Sequence, residues 1–386
     1  MNKIIYRIGE ISQIFSGGDR PKVCSDVRTA ECSIPIFSNG LDEDGLYGYT
    51  NKAQIEGDCI TVSARGANIG VVFYRDEPFL PIVRLLSIVP DRNKIDSKYL
   101  YYYFKTDKII GTGSAQPQLT IPFFQKKKIF VYENLATQQK IANILSRYDE
   151  AIENNNKRIK LLEQMAQNLY KEWFVRFRFP GYENCEFENG IPVGWKVEKL
   201  GNFCKITDGT HDTPAQLEEG IPLVTGKAIR NGRIDFSIPY NISVEDHEKI
   251  KKRSGLKTGD ILFSNIGTIG NVCLVNYDRE FSVKNMIIFK PESINQSMYL
   301  FYLLNSDSIQ SLFTAQTNGA SQQFLGLDFM RRFKILLPSE EIIKLFGEKE
   351  VLIIQQINIF QQQNQNLAKQ RDLLLPRLMS GKLEVD

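Results

Sequence analysis

The chain of 386 residues contains few side chains whose type and spacing could support catalysis. Its two histidines, His211 and His247, lie apart in the sequence, and neither has a serine or cysteine nucleophile pattern beside it. Asp212 could orient His211 as a base, but adjacent residues on an extended segment point to opposite faces, so a polar loop is the simpler interpretation. The glycine pair within 15–19 fits neither a dinucleotide-binding nor a phosphate-binding loop. These patterns favour a binding protein, with an enzyme that uses an unrecognised site as an alternative.

The cysteines predict neither a metal site nor a disulfide framework. They are scattered, form no C-x-x-C pair and are accompanied by only two histidines, so we expect buried thiols in a cytoplasmic protein with no metal and no cofactor of its own. The longest apolar run, at 298–304, has only seven residues, whereas a membrane helix needs about 20. The N-terminal residues also lack the apolar core of a signal peptide. The six cysteines are Cys24, Cys32, Cys59, Cys185, Cys204 and Cys273.

The overall charge is close to balanced. The chain has 48 basic and 45 acidic residues, and therefore a net charge of +3. No basic tail or basic domain is present, so nucleic-acid binding would require positive charge gathered on one face. The length and the 42% hydrophobic content are sufficient for two or three domains with real cores.

Five segments recur in the same order in the two halves of the chain, 187 to 206 residues apart. Ile-Gly-Glu-Ile at 8–11 matches Leu-Gly-Asn-Phe at 200–203, and Ile-Pro-Ile-Phe-Ser at 34–38 matches Ile-Pro-Leu-Val-Thr at 221–225. Gly-Asp pairs that lead to a serine and then Ile-Gly, a Tyr-Leu-aromatic-Tyr segment, and a glutamine three residues before a leucine complete the series. The conserved order predicts an internal duplication.

Each repeat begins with short, β-rich segments separated by turn residues and ends with one long helical pattern. The predicted fold class is α+β, with two globular α/β domains joined by two long antiparallel helices that form a coiled coil. The predicted boundaries are 1–135 for the first domain, 136–178 for its helix, 179–194 for a linker, 195–338 for the second domain and 339–380 for the second helix.

Apolar residues spaced by four and three positions predict a coiled-coil seam on both helices. Asn155 is the polar position of the first seam, and Asn364 falls near the corresponding point of the second. Asn134 and Ser339 are the predicted N-caps. The seam residues are Ile141, Leu145, Ile152, Ile159, Leu162, Leu169 and Trp173 in the first helix, and Phe346, Ile353, Ile357, Phe360, Leu367 and Leu374 in the second.

A helix of this length cannot bury its apolar seam alone, so each seam needs a covering surface. The simplest arrangement pairs the two helices antiparallel within the chain, which would relate the two repeats by a pseudo-two-fold axis. The alternative is that each seam packs on its own globular domain. Deletion of the helices is expected to abolish assembly with partners but to leave the globular domains folded.

The residues around the helices resemble signatures of the type I restriction-modification specificity (S) subunits. The resemblance rests on Leu-Tyr-Lys-Glu-Trp-Phe-Val at 169–175, Ile-Pro-Val-Gly-Trp-Lys at 191–196 and Leu-Leu-Pro-Arg-Leu-Met-Ser-Gly-Lys-Leu at 374–383. The segment Asn-Leu-Ala-Thr-Gln-Gln-Lys-Ile at 134–141 is similar to the family's helix-opening segment. Together these segments extend the resemblance over essentially the whole chain.

The resemblance implies a non-catalytic DNA-binding subunit. Each globular domain would be a target recognition domain that reads one half of a split, asymmetric sequence in double-stranded DNA. The helices would set the gap and dock two modification (methyltransferase) subunits, through which restriction subunits would join. S-adenosylmethionine and ATP with Mg²⁺ would then belong to those partners. The alternative is a coiled-coil adaptor or antirestriction decoy of the same fold.

Polar, glycine-bearing loops that recur in both repeats are the predicted base-reading elements, at 63–68, 113–118, 264–268 and 319–323. Arg65 could contact a guanine edge, and Gln116 or Gln322 an adenine edge. Basic residues just before each helix are the predicted phosphate contacts. The alternative is that these are turn residues and solvated faces. The predicted DNA-contacting residues are Ser63, Arg65, Asn68, Gln116, Gln118, Lys126, Lys127, Lys128, His211, Asn265, Thr268, Ser321, Gln322, Gln323, Arg331 and Arg332.

Overall fold

The structure, a computed structural model, describes residues 2–107, 109, 118–230, 232–318 and 324–385. The chain divides into two compact units. Unit 1 consists of Met1–Asn156 and Gln361–Asp386, and unit 2 consists of Lys157–Phe360. Each unit therefore combines one repeat's β-rich segment with portions of both long helices.

Unit 1 contains three sheets among its described residues. One is the antiparallel pair β1–β9, the second has the order β2-β8-β5-β6, and the third has the order β4-β3-β7. The strands are β1 (Lys3–Arg7), β2 (Ser12–Ser16), β3 (Ile34–Phe37), β4 (Leu46–Thr50), β5 (Cys59–Val62), β6 (Val72–Arg75), β7 (Leu80–Pro81), β8 (Leu86–Pro90) and β9 (Lys128–Tyr132). The helices before the long one are α1 (Ile8–Ile11), α2 (Ser97–Thr106) and α3 (Ile121–Lys126), with a 3₁₀ turn at Asp42–Gly45.

The two long helices are α4 (Leu135–Tyr170), which continues as a π-helical turn at Lys171–Val175, and α10 (Glu340–Ser380). Asn134 caps α4, since its side-chain oxygen accepts a hydrogen bond from the backbone N–H of Ala136 at 2.8 Å. Ser339 precedes α10, and its hydroxyl accepts from the N–H of Ile342 at 3.5 Å. Each predicted cap therefore lies directly before its helix, where backbone N–H groups lack intrahelical acceptors.

Unit 2 repeats the topology of unit 1. Its sheets have the orders β12-β22, β13-β21-β18-β19 and β17-β14-β20, and two short hairpins, β10-β11 and β15-β16, are added. The strands are β10 (Phe187–Glu188), β11 (Ile191–Pro192), β12 (Lys196–Lys199), β13 (Lys205–Asp208), β14 (Ile221–Val224), β15 (Ile229–Arg230), β16 (Arg233–Ile234), β17 (Tyr240–Ile242), β18 (Ile261–Ser264), β19 (Val272–Leu274), β20 (Ser282–Val283), β21 (Met286–Lys290) and β22 (Lys334–Leu337). The helices are α5 (Leu200–Phe203), α6 (Val244–Ser254), α7 (Ile294–Asn305), α8 (Asp307–Asn318) and α9 (Leu327–Arg332), with 3₁₀ turns at Tyr182–Asn184 and Gly226–Ala228.

The repeated glycines of the sequence mark an equivalent close approach in the two units. A Cβ on Gly9 of α1 would lie 3.2 Å from the carbonyl oxygen of Gln125 in α3. A Cβ on Gly201 of α5 would lie 2.9 Å from the carbonyl oxygen of Arg331 in α9. An added Cβ would be crowded by α3 in unit 1 and would clash with the backbone of α9 in unit 2, so glycine suits both positions. The predicted internal repeat is confirmed by the matching sheet orders and by this shared packing.

The long helices run antiparallel where they pair, as predicted. In unit 1 the side-chain amide of Asn155 contacts Asn364, and Arg371 forms an ion pair with Asp149, so residues later in α4 meet residues earlier in α10. In unit 2 the seam is apolar. Its buried residues Ala166, Ile353 and Ile357 pack with half-buried Ile159 and Leu162. The half-buried seam residues Ile152, Phe360 and Leu367 lie between these contacts in the sequence.

The ends of both helices belong to the globular cores rather than to the helix pair. In unit 1, Ile141 and Leu145 of α4 and Leu378 of α10 lie in the main core cluster, with Leu374 packed against it. In unit 2, Trp173 and Phe346 lie in the main core cluster, with Leu169 packed against it. The seam therefore packs partly between the two helices and, at the helix ends, on the globular cores. Removal of the complete helices would strip both cores, contrary to the expectation that the domains would stay folded.

Four of the six cysteines are buried, in line with the expected buried thiols. All six cysteines are free thiols, and Cys32, Cys59, Cys204 and Cys273 are buried. No group of three or more histidine, cysteine, aspartate or glutamate side chains that could hold a metal ion occurs in the part of the chain that the structure describes. Among the same residues, no helix is long and apolar enough to cross a membrane.

Candidate nucleic-acid interface

The first candidate loop follows β5 and is held in a defined shape by its backbone. The N–H of Ser63 donates to the carbonyl of Val71 at 2.9 Å, and the N–H of Gly70 donates to the carbonyl of Ser63 at 2.8 Å. Gly66 has a φ of +78°, a left-handed conformation that glycine adopts without strain. The loop therefore closes tightly between β5 and β6 and carries Arg65 at its exposed tip.

The structure brings this loop to Gln118, the one described residue of a second predicted loop. The guanidinium of Arg65 donates to Oε1 of Gln118 at 3.1 Å, and the N–H of Leu119 donates to the carbonyl of Ala64 at 3.0 Å. Buried Leu119 anchors this contact in the core. Arg65 and Gln118 thus form one exposed polar pair. Gln116 lies outside the described residues.

Asn39 connects the loop to a neighbouring turn and was not among the predicted residues. Its Oδ1 accepts from the N–H of Ala64 at 2.9 Å, and its Nδ2 donates to the carbonyl of Val83 at 2.6 Å. Its own carbonyl accepts from Nδ2 of Asn68 at 3.0 Å. The predicted contact residue Asn68 is therefore half-buried and holds the scaffold. An Asn-Gly pair directly after a strand was a turn signal in the sequence, but it could not reveal these partners.

Ser63 lies in a position that does not suit a base-reading side chain. Its side chain is 1% exposed, and its hydroxyl has no hydrogen-bond partner among the described residues. Ser63 directly follows β5, a central strand of its sheet that is buried at every position, so its side chain is buried as well. Ser63 supports the loop through its backbone, which corrects its prediction as a side-chain contact.

The equivalent loop of unit 2 follows β18 and has the same backbone connections. The N–H of Ser264 donates to the carbonyl of Asn271, and the N–H of Gly270 donates to the carbonyl of Ser264, both at 2.9 Å. The N–H of Leu325 donates to the carbonyl of Asn265 at 3.0 Å, and Nδ2 of Asn265 donates back to the carbonyl of Leu325 at 3.0 Å. Asn265 therefore holds the scaffold, whereas Thr268 is exposed. The predicted contacts Ser321, Gln322 and Gln323 lie outside the described residues.

His211 lies in an exposed polar cluster after β13. Its ring nitrogens contact Oδ2 of Asp208 at 2.8 Å and Oδ1 of Asn285 at 2.9 Å. Nη2 of Arg253 donates to the other oxygen of Asp208 at 2.7 Å. The carboxylate beside His211 is thus that of Asp208 and not that of Asp212. The ion pair between Arg253 and Asp208 is typical of a polar surface loop. The second histidine, His247, is buried and contacts the hydroxyl of Ser282 at 2.9 Å.

The two basic runs are partly engaged within their own units. Nζ of Lys127 lies 2.8 Å from Oδ2 of Asp107, while Lys126 and Lys128 are exposed. In unit 2, Nη1 of Arg331 lies 3.2 Å from Oδ1 of Asp328, and Nε of Arg332 donates to the carbonyl of the same residue at 3.2 Å. Carboxylates of their own units pair with Lys127 and Arg331 and weaken the electrostatic contribution of both residues, so Lys126 and Lys128 are better placed cations.

Comparison with known proteins gives a consistent family. The family described as type I restriction modification DNA specificity domain matches residues 3–164 and, a second time, residues 192–371. The MjaIX specificity subunit of a type I restriction enzyme of Methanocaldococcus jannaschii is 27% identical over 373 residues, which cover 92% of this chain and 80% of the relative. The MjaVIII specificity subunit of the same organism is 26% identical, with 99% and 93% covered.

A solved structure has the same fold. The crystal structure of the type I restriction-modification system S subunit from M. genitalium superposes with a TM-score of 0.64 at 18% identity, covering 98% of this chain and 96% of that one. The two family matches cover most of the chain and coincide with the two structural repeats. The chain belongs to the type I restriction-modification specificity subunit family, which agrees with the resemblance found in the sequence.

Proposed function

We propose that the protein reads a bipartite, asymmetric sequence in double-stranded DNA as the specificity subunit of a type I restriction-modification complex. The observation that carries this proposal is the recurrence of one loop architecture in both units with different side chains. The carbonyls of Ala64 and Asn265 accept equivalent hydrogen bonds, yet the residues that follow them differ. Two loops with the same backbone arrangement and different side chains are suited to reading two different half-sites.

The exposed side chains suggest how contacts to DNA divide between bases and phosphates. Arg65 at the tip of its loop has the planar donors that recognise a guanine edge, and Gln118 keeps those donors oriented. Exposed Lys126 and Lys128 suit phosphate contacts, as do Arg331 and Arg332 once they exchange Asp328 for DNA.

The long helices carry apolar side chains that their own pairing leaves exposed. Leu161 and Met165 of α4 are 64% and 57% exposed, and Leu352, Ile359 and Leu373 of α10 are similarly uncovered. Apolar residues exposed on a helix are suited to burial against a partner. We assign these residues to the docking of two modification subunits, through which restriction subunits join. Methylation with S-adenosylmethionine and ATP-driven steps with Mg²⁺ would be carried out by those partners.

Methylome sequencing of cells with and without the gene tests the proposal. The expected result is one split sequence, methylated on both strands, that disappears when the gene is deleted and returns when it is restored. An unchanged methylome, with no sequence-selective DNA binding by the complex, would instead favour the adaptor or decoy alternative. Methylation of DNA by the purified chain alone would contradict the assignment of catalysis to the partners.

A further inference from the structure

The two candidate loops carry side chains of opposite polarity at one pair of equivalent positions. In unit 1 these positions hold Arg65 and Gln118, which share a hydrogen bond. In unit 2 they hold Ile266 and Phe324, which form an isolated antiparallel bridge. The positions correspond because each pair lies next to an equivalent backbone hydrogen bond. Leu119 donates this bond to the carbonyl of Ala64 in unit 1, and Leu325 donates it to the carbonyl of Asn265 in unit 2. A polar reading pair in one unit is therefore replaced by an apolar pair in the other.

The apolar pair is exposed although its support is rigid. The side chains of Ile266 and Phe324 are 46% and 50% exposed, whereas Leu325 next to them is 1% exposed and lies in the core. Two hydrogen bonds connect Asn265 with Leu325 and hold their two chain segments together. Gly267, with a φ of +74°, turns the chain directly after Ile266. The scaffold thus holds two large apolar side chains in water at a fixed place.

We infer that Ile266 and Phe324 read a thymine by contact with its C5-methyl group in the major groove, an inference that rests on the proposed function. The methyl group is the apolar feature that a base pair presents in that groove. The remaining base edges present nitrogen and oxygen atoms, which would lose hydrogen bonds to water if an isoleucine or phenylalanine covered them without replacing those bonds. An apolar pair therefore selects thymine, as the arginine pair of unit 1 selects a polar edge.

The test uses the chain assembled with its methyltransferase subunits and duplexes that contain the sequence found by methylome sequencing. Each thymine is replaced in turn by deoxyuridine, which removes only the methyl group. We expect one replacement, in the half-site read by unit 2, to weaken binding about tenfold, since a missing methyl group in an apolar contact has an effect of that order. In the Ile266→Ala, Phe324→Ala double variant, the same replacement should have no effect.

Matched controls separate reading from folding and assembly. The Arg65→Ala, Gln118→Ala double variant alters unit 1 and should retain full sensitivity to deoxyuridine in the other half-site. Val244→Ser removes a side chain that is 63% exposed on α6 of unit 2 and should change nothing. Thermal denaturation and gel filtration of each complex show that the variants are folded and assembled.

The inference is overturned if no deoxyuridine replacement weakens binding, or if the double variant at Ile266 and Phe324 keeps the wild-type sensitivity. It is also overturned if that variant loses methyltransferase subunits while its DNA preference is unchanged, which would make the pair a protein contact. Selective binding without methyl dependence leaves the proposed function intact. A complex that shows no sequence preference at all removes both.

Discussion

The side-chain amide of Asn155 donates a hydrogen bond to Oδ1 of Asn364 at 2.9 Å within unit 1. Asn155 is 8% exposed, and Asn364 in turn donates to Oδ1 of Asn156 at 2.8 Å. A polar pair in a helix seam fixes register, because any shift would leave these amides without their partners. The two polar positions found in the sequence are thus direct partners across the antiparallel helices.

Substitution of one asparagine should therefore cost more than substitution of both. We expect Asn155→Leu to lower the free energy of unfolding by about 1–3 kcal/mol, since it removes the donor to Oδ1 of half-buried Asn364 and places a leucine methyl group beside it. The Asn155→Leu, Asn364→Leu double variant should recover most of that loss while weakening the control of register. Urea unfolding of the wild type, the single variants Asn155→Leu and Asn364→Leu, and the double variant gives the coupling energy between the two residues. Additive effects of the two substitutions would contradict the contact.

A buried carboxyl group in α10 should make stability depend on pH. Glu350 is 0% exposed, and its interaction with the hydroxyl of Tyr302 only partly offsets the effect of burial on the pKa of its carboxyl group. Burial raises the pKa of Glu350 from 4.5 to about 7. The folded chain therefore holds this proton more tightly than the unfolded chain, so the contribution of Glu350 to stability is most favourable below pH 4.5 and is lost as the pH rises through about 7.

Glu350→Gln should remove that part of the pH dependence. The difference between 4.5 and about 7 corresponds to about 3 kcal/mol, so the variant should exceed the wild type by roughly that amount at pH 8 and match it near pH 4.5. Denaturant unfolding across this range provides the measurement. Glu341→Gln, an exposed position near the start of the same helix, is the control and should leave the pH profile unchanged.

Asn39 should fix the position of the loop at 63–68 in unit 1 without contacting DNA. Asn39→Ala removes the side-chain hydrogen bonds to Ala64 and Val83, which together contribute about 2 kcal/mol. We expect the assembled complex to lose discrimination at the half-site of unit 1 and to keep it at the half-site of unit 2. Competition binding with half-site variants measures this, and Asn93→Ala, in an exposed turn of the same unit, should be neutral. Equal losses at both half-sites would point to a general folding defect.

Arg65 and Lys126 should separate base reading from phosphate contact. Arg65→Lys keeps the charge but loses the planar donors, so we expect discrimination at one base pair to fall by about 1–3 kcal/mol with little change in salt dependence. Lys126→Ala should weaken binding to all sequences alike and reduce the slope of log affinity against log salt by about 1. Binding isotherms at several salt concentrations distinguish the two, and a reversed pattern would exchange their roles.

The amino-acid sequence by itself determined the repeat, the two long helices and the family. These features depend on local order and periodicity, such as the glycines at 9 and 201 and the apolar spacing in α4, which remain visible without coordinates. The same information placed the polar seam positions close enough to predict that they correspond. Periodicity identifies an apolar face, however, and does not say which surface covers it.

Only the tertiary structure decided how each face and loop is used. It assigned Ile141 and Trp173 to globular cores and Ile357 to the helix pair, because these contacts join segments distant in sequence. It also buried Ser63 and made Asn39 a support of the loop, since burial and hydrogen bonding depend on neighbours that no short motif contains. Residue type suggested which side chains could read DNA, and long-range packing determined which of them are exposed to do so.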